Sequence, residues 1–200
     1  MTAEIICVGT ELLLGDILNT NAQFLSRELA ELGISVLHQH VIGDNPARLR
    51  ELVTQAKSRS DLLIFSGGLG PTEDDLTKEV CAEVMGLPLH EDSHSRKRIE
   101  RYMKEYMKNH PDRRVTSNNY KQAQVPEGAI VMDNHNGTAP GLILEKNGKT
   151  AILLPGPPNE LIPMFEEAVY PYLQKKQPEI IYSQVVKICG IGESQVAADI

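Results

Sequence analysis

Apolar and polar residues alternate along the first half of the chain in two kinds of pattern. These patterns predict a buried strand over residues 4–9, a second strand over 34–42 and a fully apolar third strand over 61–67. Each predicted strand is followed by a segment with helical spacing of apolar residues and a cap or stop signal, over residues 19–33, 45–57 and 74–85. This β-α-β-α-β-α order predicts an α/β fold, with a mainly parallel sheet covered by helices on both faces.

The second half of the chain has a less regular pattern. Residues 93–110 form a long polar helical segment, and residues 142–156 read as two strands joined by a Lys-Asn-Gly-Lys turn. A further helix is predicted over residues 159–176, with Pro178 ending it. Residues 179–200 offer a strand, a Gly-Ile-Gly turn and a helix beginning at about Glu193. We therefore expect one domain over residues 1–177, and residues 178–200 to be a linker or the truncated start of a second domain.

Composition narrows the possible classes of protein. A hydrophobic content of 41% in 200 residues supports a real core, and no apolar run reaches the ~18–20 residues that cross a bilayer. The first residues, MTAEIICVG, lack a basic leader segment, so the expected location is cytoplasmic and no membrane partner is expected. The three cysteines are widely separated and sit among apolar residues, which favours buried thiols over a disulfide or zinc site.

The net charge and the low aromatic content make nucleic acid an unexpected partner. The net charge is −7, there is no tryptophan, and aromatic residues make up 4% of the chain. Eight of the 20 lysines and arginines do fall within residues 94–114, where a basic patch is conceivable. However, Arg96–Glu100, Glu100–Lys104 and Arg101–Glu105 are spaced as i,i+4 pairs, which favours a solvated helix face.

A glycine-rich loop, SGGLGPTEDD (residues 66–75), follows the third predicted strand. Ligands in open parallel sheets bind beyond the carboxyl ends of the strands, and glycines let the backbone approach them closely. The start of the next helix adds a positive dipole end, so the loop suits an anion such as phosphate. It is neither a P-loop nor a dinucleotide fingerprint, because the required Lys and glycine spacing are absent.

The two aspartates at the end of this loop allow two interpretations, and both can hold at once. Asp74 and Asp75 would repel a phosphate unless a divalent cation lay between them, which makes them candidate magnesium-type ligands. Alternatively, Thr72 caps the following helix and the carboxylates complement its dipole.

Three further loops share this Gly/Pro-rich character. GTELLLGD (9–16) and LPGPPNE (154–160) also leave strand ends and carry carboxylates, whereas NGTAPG (136–141) precedes a strand. Together the four loops predict one phosphate-binding, metal-assisted site. The candidate catalytic residues are Asp75, Asp74, Glu160 and Glu11, and the candidate metal ligands are Asp16, Asp74, Asp75 and Glu160. The candidate substrate-binding residues in these loops are Gly9, Thr10, Gly67, Gly68, Gly70, Thr72, Asn136, Gly137, Thr138, Pro155, Gly156 and Pro157.

The motifs GTELLLGDILNTN, SGGLGPTEDDLT, NGTAPG and LPGPPNE, in this order, resemble the N-terminal domain of the competence/damage-inducible CinA family. That domain is similar to the molybdopterin-binding fold of MogA and MoaB, and the resemblance covers about residues 1–175. It implies a three-layer α/β/α domain in which Gly67–Thr77 and Pro155–Pro158 correspond to the two loops beside a pterin-phosphate site, with Asp75 in the aspartate position. Leu69 and Pro157 stand where the cofactor proteins have threonine and asparagine.

The resemblance also implies a function. CinA-like domains are associated with hydrolysis of ADP-ribose at its pyrophosphate, with a divalent metal ion (Mg, Mn or Co) and in some cases a monovalent cation. It adds Asn119, Lys121 and Gln122 as residues that would reach substrate oxygens. Asn19, at the end of the first motif, is a further candidate substrate-binding residue. It further implies a homodimer, and a C-terminal nicotinamide-mononucleotide deamidase domain in full-length members. The alternative function is a non-catalytic module that binds a nucleotide or pterin for that deamidase domain.

Overall fold

A six-stranded mixed sheet forms the centre of the protein in the computed structural model, which describes residues 1–109, 117–177, 188–190, 192 and 194–196. The strands are β1 (Thr2–Val8), β2 (Ser35–Ile42), β3 (Leu62–Ser66), β4 (Leu89–Glu91), β5 (Gln124–Pro126), β6 (Ile130–Met132), β7 (Gly141–Lys146) and β8 (Lys149–Leu154). The order across the sheet is β2-β1-β3-β8-β7-β6, and β4 pairs with β5 in a separate antiparallel ribbon. Strands β2, β1, β3 and β8 are parallel, whereas β7 is antiparallel to both of its neighbours.

Helices follow most of the strands and cover both faces of the sheet. They are α1 (Thr10–Leu14), α2 (Thr20–Glu31), α3 (Pro46–Arg59), α4 (Thr77–Met85), α5 (Ser93–Asn109), α6 (Pro158–Met164) and α7 (Tyr170–Lys176). A 3₁₀ helix spans Ser117–Ala123, and a π-helical turn over Phe165–Val169 joins α6 to α7. The predicted α/β architecture is confirmed.

Alternation along the strands divides the core into two layers. On β1, Ala3 and Ile5 pack on one face with α2 and α6, whereas Ile6 and Val8 pack on the other with α3 and α4. The central strand β3 is buried on both faces, which explains its continuous apolar sequence. The β7–β8 hairpin also forms as predicted, because Asn147 and Gly148 adopt the positive φ values (52° and 76°) of a tight hairpin turn.

Several local predictions were wrong or incomplete. Helix α4 begins at Thr77 rather than at Asp74, because the Thr77 N–H donates to Gly68 O at 3.1 Å and the preceding residues form a separate turn. Asp74 and Asp75 therefore lie in the loop and not in the first helical turn. The short helix α1 and the strands β4, β5 and β6 were not predicted. Segments of three to five residues are too short to show a periodic hydrophobic pattern. Most of the predicted strand, turn and helix after Pro178 lies outside the described residues.

One carboxylate is buried inside the sheet. Glu4 on β1 is fully buried, and its two oxygens accept hydrogen bonds from the Arg59 guanidinium (2.7 and 2.8 Å) and from Ser60 Oγ (2.8 Å). His40 Nε2 lies 2.8 Å from Glu4 Oε2. Burial alone would raise the pKa of Glu4, but the hydrogen bonds from Arg59, Ser60 and His40 outweigh it and lower that pKa to about 2. Glu4 is therefore a charged structural residue.

The basic helix α5 is only partly a solvated surface. Arg96 Nε donates to Glu100 Oε1 at 3.2 Å, so one predicted i,i+4 pair is present. Arg98 instead turns toward the protein and donates to Asp133 Oδ1 at 3.1 Å and to Asn134 O. Arg113 and Arg114 lie outside the described residues. None of the helices in the described ranges is long and apolar enough to cross a membrane.

Reversing two exposed charges on α5 tests its surface role. We expect Arg101→Glu with Lys104→Glu to leave the affinity for any nucleotide that the protein binds within about twofold, because exposed charges are well screened. Calorimetric titration of both proteins, with a DNA-binding assay at two salt concentrations, provides the measurement. Salt-sensitive DNA binding that the double variant loses would show that α5 is a nucleic-acid surface.

Candidate functional site

A cleft of about 570 Å³ lies at one edge of the central sheet. The parallel strands β1, β3 and β8 all end at this edge, and the loop into the antiparallel strand β7 arrives there as well. This topology brings together the four Gly/Pro-rich loops that the sequence places at strand ends. A fifth segment, after β2, adds Asp44, whose Oδ2 accepts from Thr10 N at 3.1 Å and from Thr10 Oγ1 at 2.8 Å.

Most of the predicted site residues line this cleft. They are Gly9, Glu11, Gly67, Gly68, Gly70, Thr72, Asp74, Asp75, Gln122, Asn136, Gly137, Thr138, Pro155, Gly156, Pro157 and Glu160. Val8, Asp44, Leu69, Pro71, Tyr102 and Ala139 line it without having been predicted.

The glycine loop offers unpaired backbone donors. The Gly67 N–H donates to Leu154 O at 3.0 Å, so it belongs to the sheet and is not available to a ligand as predicted. Among the described residues, the N–H groups of Gly68, Leu69 and Gly70 have no hydrogen-bond acceptor in the protein. Gly67 and Gly68 have φ values of 97° and 68°, and a Cβ at either would collide with Val8 O or Thr77 Oγ1. Three consecutive free donors beside a helix N-terminus suit an anion.

Three carboxylates of the cleft each lie against a glycine. A Cβ added at Gly9 would lie 2.6 Å from Glu11 Oε1, and one added at Gly70 or Gly137 would collide with the carboxylate of Asp75 or Glu160. Glycine at these positions therefore makes the space that each carboxylate occupies. The sequence identified these glycines and carboxylates as candidates, but it did not indicate which glycine lies against which carboxylate.

Asp75 organises a turn of the glycine loop. Its Oδ2 accepts from Thr72 N at 2.9 Å and also from Thr72 Oγ1, so Thr72 does not cap α4 as the alternative reading supposed. Lys121 was predicted to contact substrate phosphate, but its Nζ donates to the carbonyl oxygens of Thr72 (2.8 Å) and Asp75. Lys121 is outside the cleft lining, and its Nζ supports the loop by donating to these two backbone carbonyls.

Gln122 and Lys78 complete this support. Gln122 is buried and its Nε2 donates to Leu69 O at 3.1 Å, whereas Lys78 donates to Lys121 O at 2.7 Å. Burial lowers the pKa of Lys78. Gln122 thus holds the loop that carries the free N–H groups, and Lys78 holds the backbone of the neighbouring Lys121.

Glu160 is oriented by a residue that the sequence did not mark. Asn134 is buried, and its Nδ2 donates to Glu160 Oε2 at 2.7 Å and to Ala139 O at 2.9 Å. Arg98 holds the backbone of the same segment from α5. Asn134 stands just before NGTAPG in the sequence, and only the tertiary structure shows that this places it beside Glu160.

Three predicted residues serve other purposes. Asp16 lies outside the cleft lining, because Gly15 ends α1 with φ of 77° and turns the chain. Asn19 caps α2 by accepting from Ala22 N at 3.2 Å and lines a smaller adjacent pocket. Thr10 uses both its N–H and its hydroxyl on Asp44. Asn19 and Thr10 thus make contacts within the protein, and their roles in substrate binding stay predictions, as does the metal-ligand role of Asp16.

The predicted metal set of Asp16, Asp74, Asp75 and Glu160 is not gathered into one cluster. No three His, Cys, Asp or Glu side chains among the described residues are close enough together to hold a metal ion. Mg²⁺ commonly binds one or two carboxylates plus phosphate oxygens and waters. The described carboxylates of the cleft therefore do not form a metal cage made by protein alone.

A methyl group at Gly137 should disturb the site without unfolding the protein. We expect Gly137→Ala to displace the flexible Glu160 carboxylate and to lower any turnover at least about tenfold, roughly 1.4 kcal/mol of transition-state stabilisation. Turnover and melting temperature of the variant check this.

A double-mutant cycle with Glu160→Ala supplies the control. If Gly137→Ala acts through Glu160, it should cause no further loss in the Glu160→Ala background. An additive loss would mean that Gly137 contributes independently of Glu160.

Comparison with known proteins agrees with this geometry. Residues 4–175 match the family model described as "Probable molybdopterin binding domain". The whole chain is 54% identical to a competence-damage inducible protein of Clostridium beijerinckii, and 98% of it is 57% identical to one of Caldicellulosiruptor bescii. It covers 48% and 46% of those two proteins, so it spans about half the length of the curated relatives it matches.

Solved structures show the same likeness. The crystal structure of CinA from Thermoplasma acidophilum, described as of unknown function, superposes with a TM-score of 0.76 at 35% identity, covering 86% of this chain and 99% of that one. MoaB from Thermus thermophilus gives a TM-score of 0.54 at 16% identity, covering 90% and 98%, which shows a shared fold alone. By its family match and its 35–57% identity to CinA and competence-damage inducible proteins, the chain belongs to the CinA family, with a domain of the molybdopterin-binding type.

Proposed function

We propose that the cleft binds the pyrophosphate of a nucleoside diphosphate sugar such as ADP-ribose and hydrolyses it with the help of a divalent cation. One observation supports this most strongly: the free N–H groups of Gly68, Leu69 and Gly70 line the same cleft as the carboxylates of Glu11, Asp75 and Glu160. Backbone donors favour an anion, and carboxylates tolerate one only with a cation between them.

The residues suggest a division of roles. The glycine-loop N–H groups would bind the phosphate oxygens and stabilise the charge that develops on them. Either Glu11 or Glu160 would take a proton from the attacking water, which forms a new bond to phosphorus while the bond to the bridging oxygen breaks. The products would be a nucleoside monophosphate and a sugar phosphate. A bound Mg²⁺, Mn²⁺ or Co²⁺ would neutralise phosphate charge.

A non-catalytic binding role is the second candidate, because the family match over residues 4–175 is to a molybdopterin-binding domain. Pterin and nucleotide ligands both carry phosphate, so the glycine loop suits either. The side chains of Leu69 and Pro157 are apolar, so neither side chain offers a polar group to a pterin ring. This observation favours the nucleotide. A deamidase domain and a second copy of the chain remain proposed partners.

Turnover of ADP-ribose tests the proposal directly. We expect phosphorus NMR to show AMP and ribose 5-phosphate forming with Mg²⁺, Mn²⁺ or Co²⁺ and not with a chelator. Glu160→Ala, purified identically, controls for contaminating hydrolases and should be at least about tenfold slower. Tight ADP-ribose binding with no turnover under any metal would favour the binding-module role.

A further inference from the structure

Among the described residues that line the cleft, Tyr102 is the only aromatic one. Its side chain is 45% exposed, although the chain has just nine Phe and Tyr residues in all and no Trp. Tyrosine rings usually bury their large apolar faces. A half-exposed ring that lines a polar cleft is therefore a surface on which a ligand could pack.

Helix α5, which carries Tyr102, is bound to the cleft segment around Asn134 by the residue one turn earlier. Arg98, four residues earlier on the same side of α5, donates to Asp133 Oδ1 at 3.1 Å and to Asn134 O. Asn134 in turn orients Glu160. Ile99, between them, is 1% exposed and anchors α5 in the interior. The helix that carries the Tyr102 ring is therefore fixed by Ile99 in the interior and by the bonds of Arg98 to the segment that lines the cleft.

Helix α5 also connects to the opposite wall. Asn119 Nδ2 contacts Met103 Sδ at 3.5 Å, and the Arg96 guanidinium lies 3.9 Å from the centre of the Tyr120 ring. The same 3₁₀ helix carries Lys121, which holds the loop of Thr72 and Asp75. Helix α5 thus contacts both the segment around Asn134 and the 3₁₀ helix, and its Tyr102 lines the cleft.

We propose that Tyr102 is the specificity-determining surface on which the planar base of the ligand stacks while its phosphates occupy the glycine loop. This inference rests on the proposed phosphate site and adds the class of ligand: an anion joined to a flat heterocycle. Stacking on one aromatic face tolerates any base, so Tyr102 would distinguish nucleotides from simple phosphates rather than one base from another.

The smaller pocket beside the cleft is the competing place for the base. It holds about 270 Å³ and shares Glu11, Gly156 and Pro157 with the cleft. Its walls include Ile17 and Leu18, and no aromatic side chain is among its described lining residues. The smaller pocket can cover the ligand base with aliphatic groups but offers no aromatic ring for stacking. Tyr102 is therefore the better place for the base.

Binding of ADP and of inorganic pyrophosphate, both with Mg²⁺, separates these possibilities without requiring turnover. By calorimetry we expect Tyr102→Ala and Tyr102→Leu to weaken ADP at least tenfold, about 1.4 kcal/mol, and to leave pyrophosphate within twofold. Tyr102→Phe should retain ADP binding. Met107→Ala, an exposed position on the same helix outside the cleft lining, should change neither affinity.

Each other outcome overturns the inference. Unchanged ADP affinity in Tyr102→Ala would place the base elsewhere, and Leu18→Asp then tests the smaller pocket. An equal loss for ADP and pyrophosphate would make Tyr102 a structural residue. If the wild-type protein binds pyrophosphate but not ADP, the phosphate site stands and the stacking surface fails; if it binds neither, both proposals fail.

Discussion

Replacing Asp75 by asparagine should lower metal-supported turnover of ADP-ribose by about 10²-fold or more, the usual effect of losing a charge-stabilising or proton-transferring group. Asp75 lines the cleft next to Gly70, and its Oδ2 is bonded to Thr72 N. Asparagine can still accept that hydrogen bond through its carbonyl oxygen, so the turn should persist while the charge is lost. The loss would then reflect a role of the Asp75 charge in holding the cation that we propose for the site.

Measuring nucleotide affinity with and without metal shows whether removing the Asp75 charge weakens or strengthens binding in each condition. With Mg²⁺, Asp75→Asn should weaken nucleotide binding; with chelator it should leave binding equal or tighter, because a repulsion of phosphate disappears. A purely structural Asp75 predicts a lower melting temperature and the same affinity ratio as the wild type in both conditions. Asp75→Ala, which also removes the bond to Thr72, gives the size of the structural contribution.

Replacing Glu4 by glutamine should cost about 3 kcal/mol of unfolding free energy at pH 7, given a pKa lowered from 4.5 to about 2. Because this pKa is lowered in the folded state, its contribution is fully present above pH 4.5 and is lost as the pH falls from 4.5 toward 2. The difference between wild type and Glu4→Gln should therefore shrink across that range. Urea unfolding of both proteins at several pH values is the measurement.

A matched exposed pair provides the control for Glu4. Arg50 donates to both oxygens of Glu83 (2.9 and 2.7 Å), with the same two-pronged geometry that Arg59 makes with Glu4, but Glu83 is 58% exposed. Glu83→Gln should have a much smaller effect, because water screens that pair. Equal losses of unfolding free energy in the two variants would show that burial of Glu4 is not the reason that its ion pair stabilises the protein.

The sheet and the position of the cleft could be predicted because they follow from long-range regularities. Three apolar runs alternating with helical periods define parallel strands, and parallel strands place their outgoing loops at one edge. The loops after β1, β3 and β8 could thus be grouped before any contact was known. The NGTAPG loop could be added from its Gly/Pro-rich sequence before a strand, and the family resemblance that the four loops carry is confirmed by the match over residues 4–175.

The details of the site depend on contacts between distant residues. Nothing local to Asn134 indicates that it bonds to Glu160, 26 residues later, or that Arg98 on a basic helix holds the same segment. Lys121 resembles a phosphate ligand in sequence, yet the carbonyls of Thr72 and Asp75 lie nearer to it than the cleft does. Likewise, Glu4 sits in an apolar run, and only its pairing with Arg59 explains how its charge is tolerated there.

The most direct test of the phosphate-binding cleft is a backbone amide NMR titration with pyrophosphate and Mg²⁺. The free N–H groups of Gly68, Leu69 and Gly70 should show the largest shifts, with Gly137 and Thr138 following. Gly67, whose N–H is already bonded to Leu154 O, should shift less than Gly68. Saturable shifts confined to residues outside this cleft, with Gly68 and Gly70 unmoved, would contradict the account.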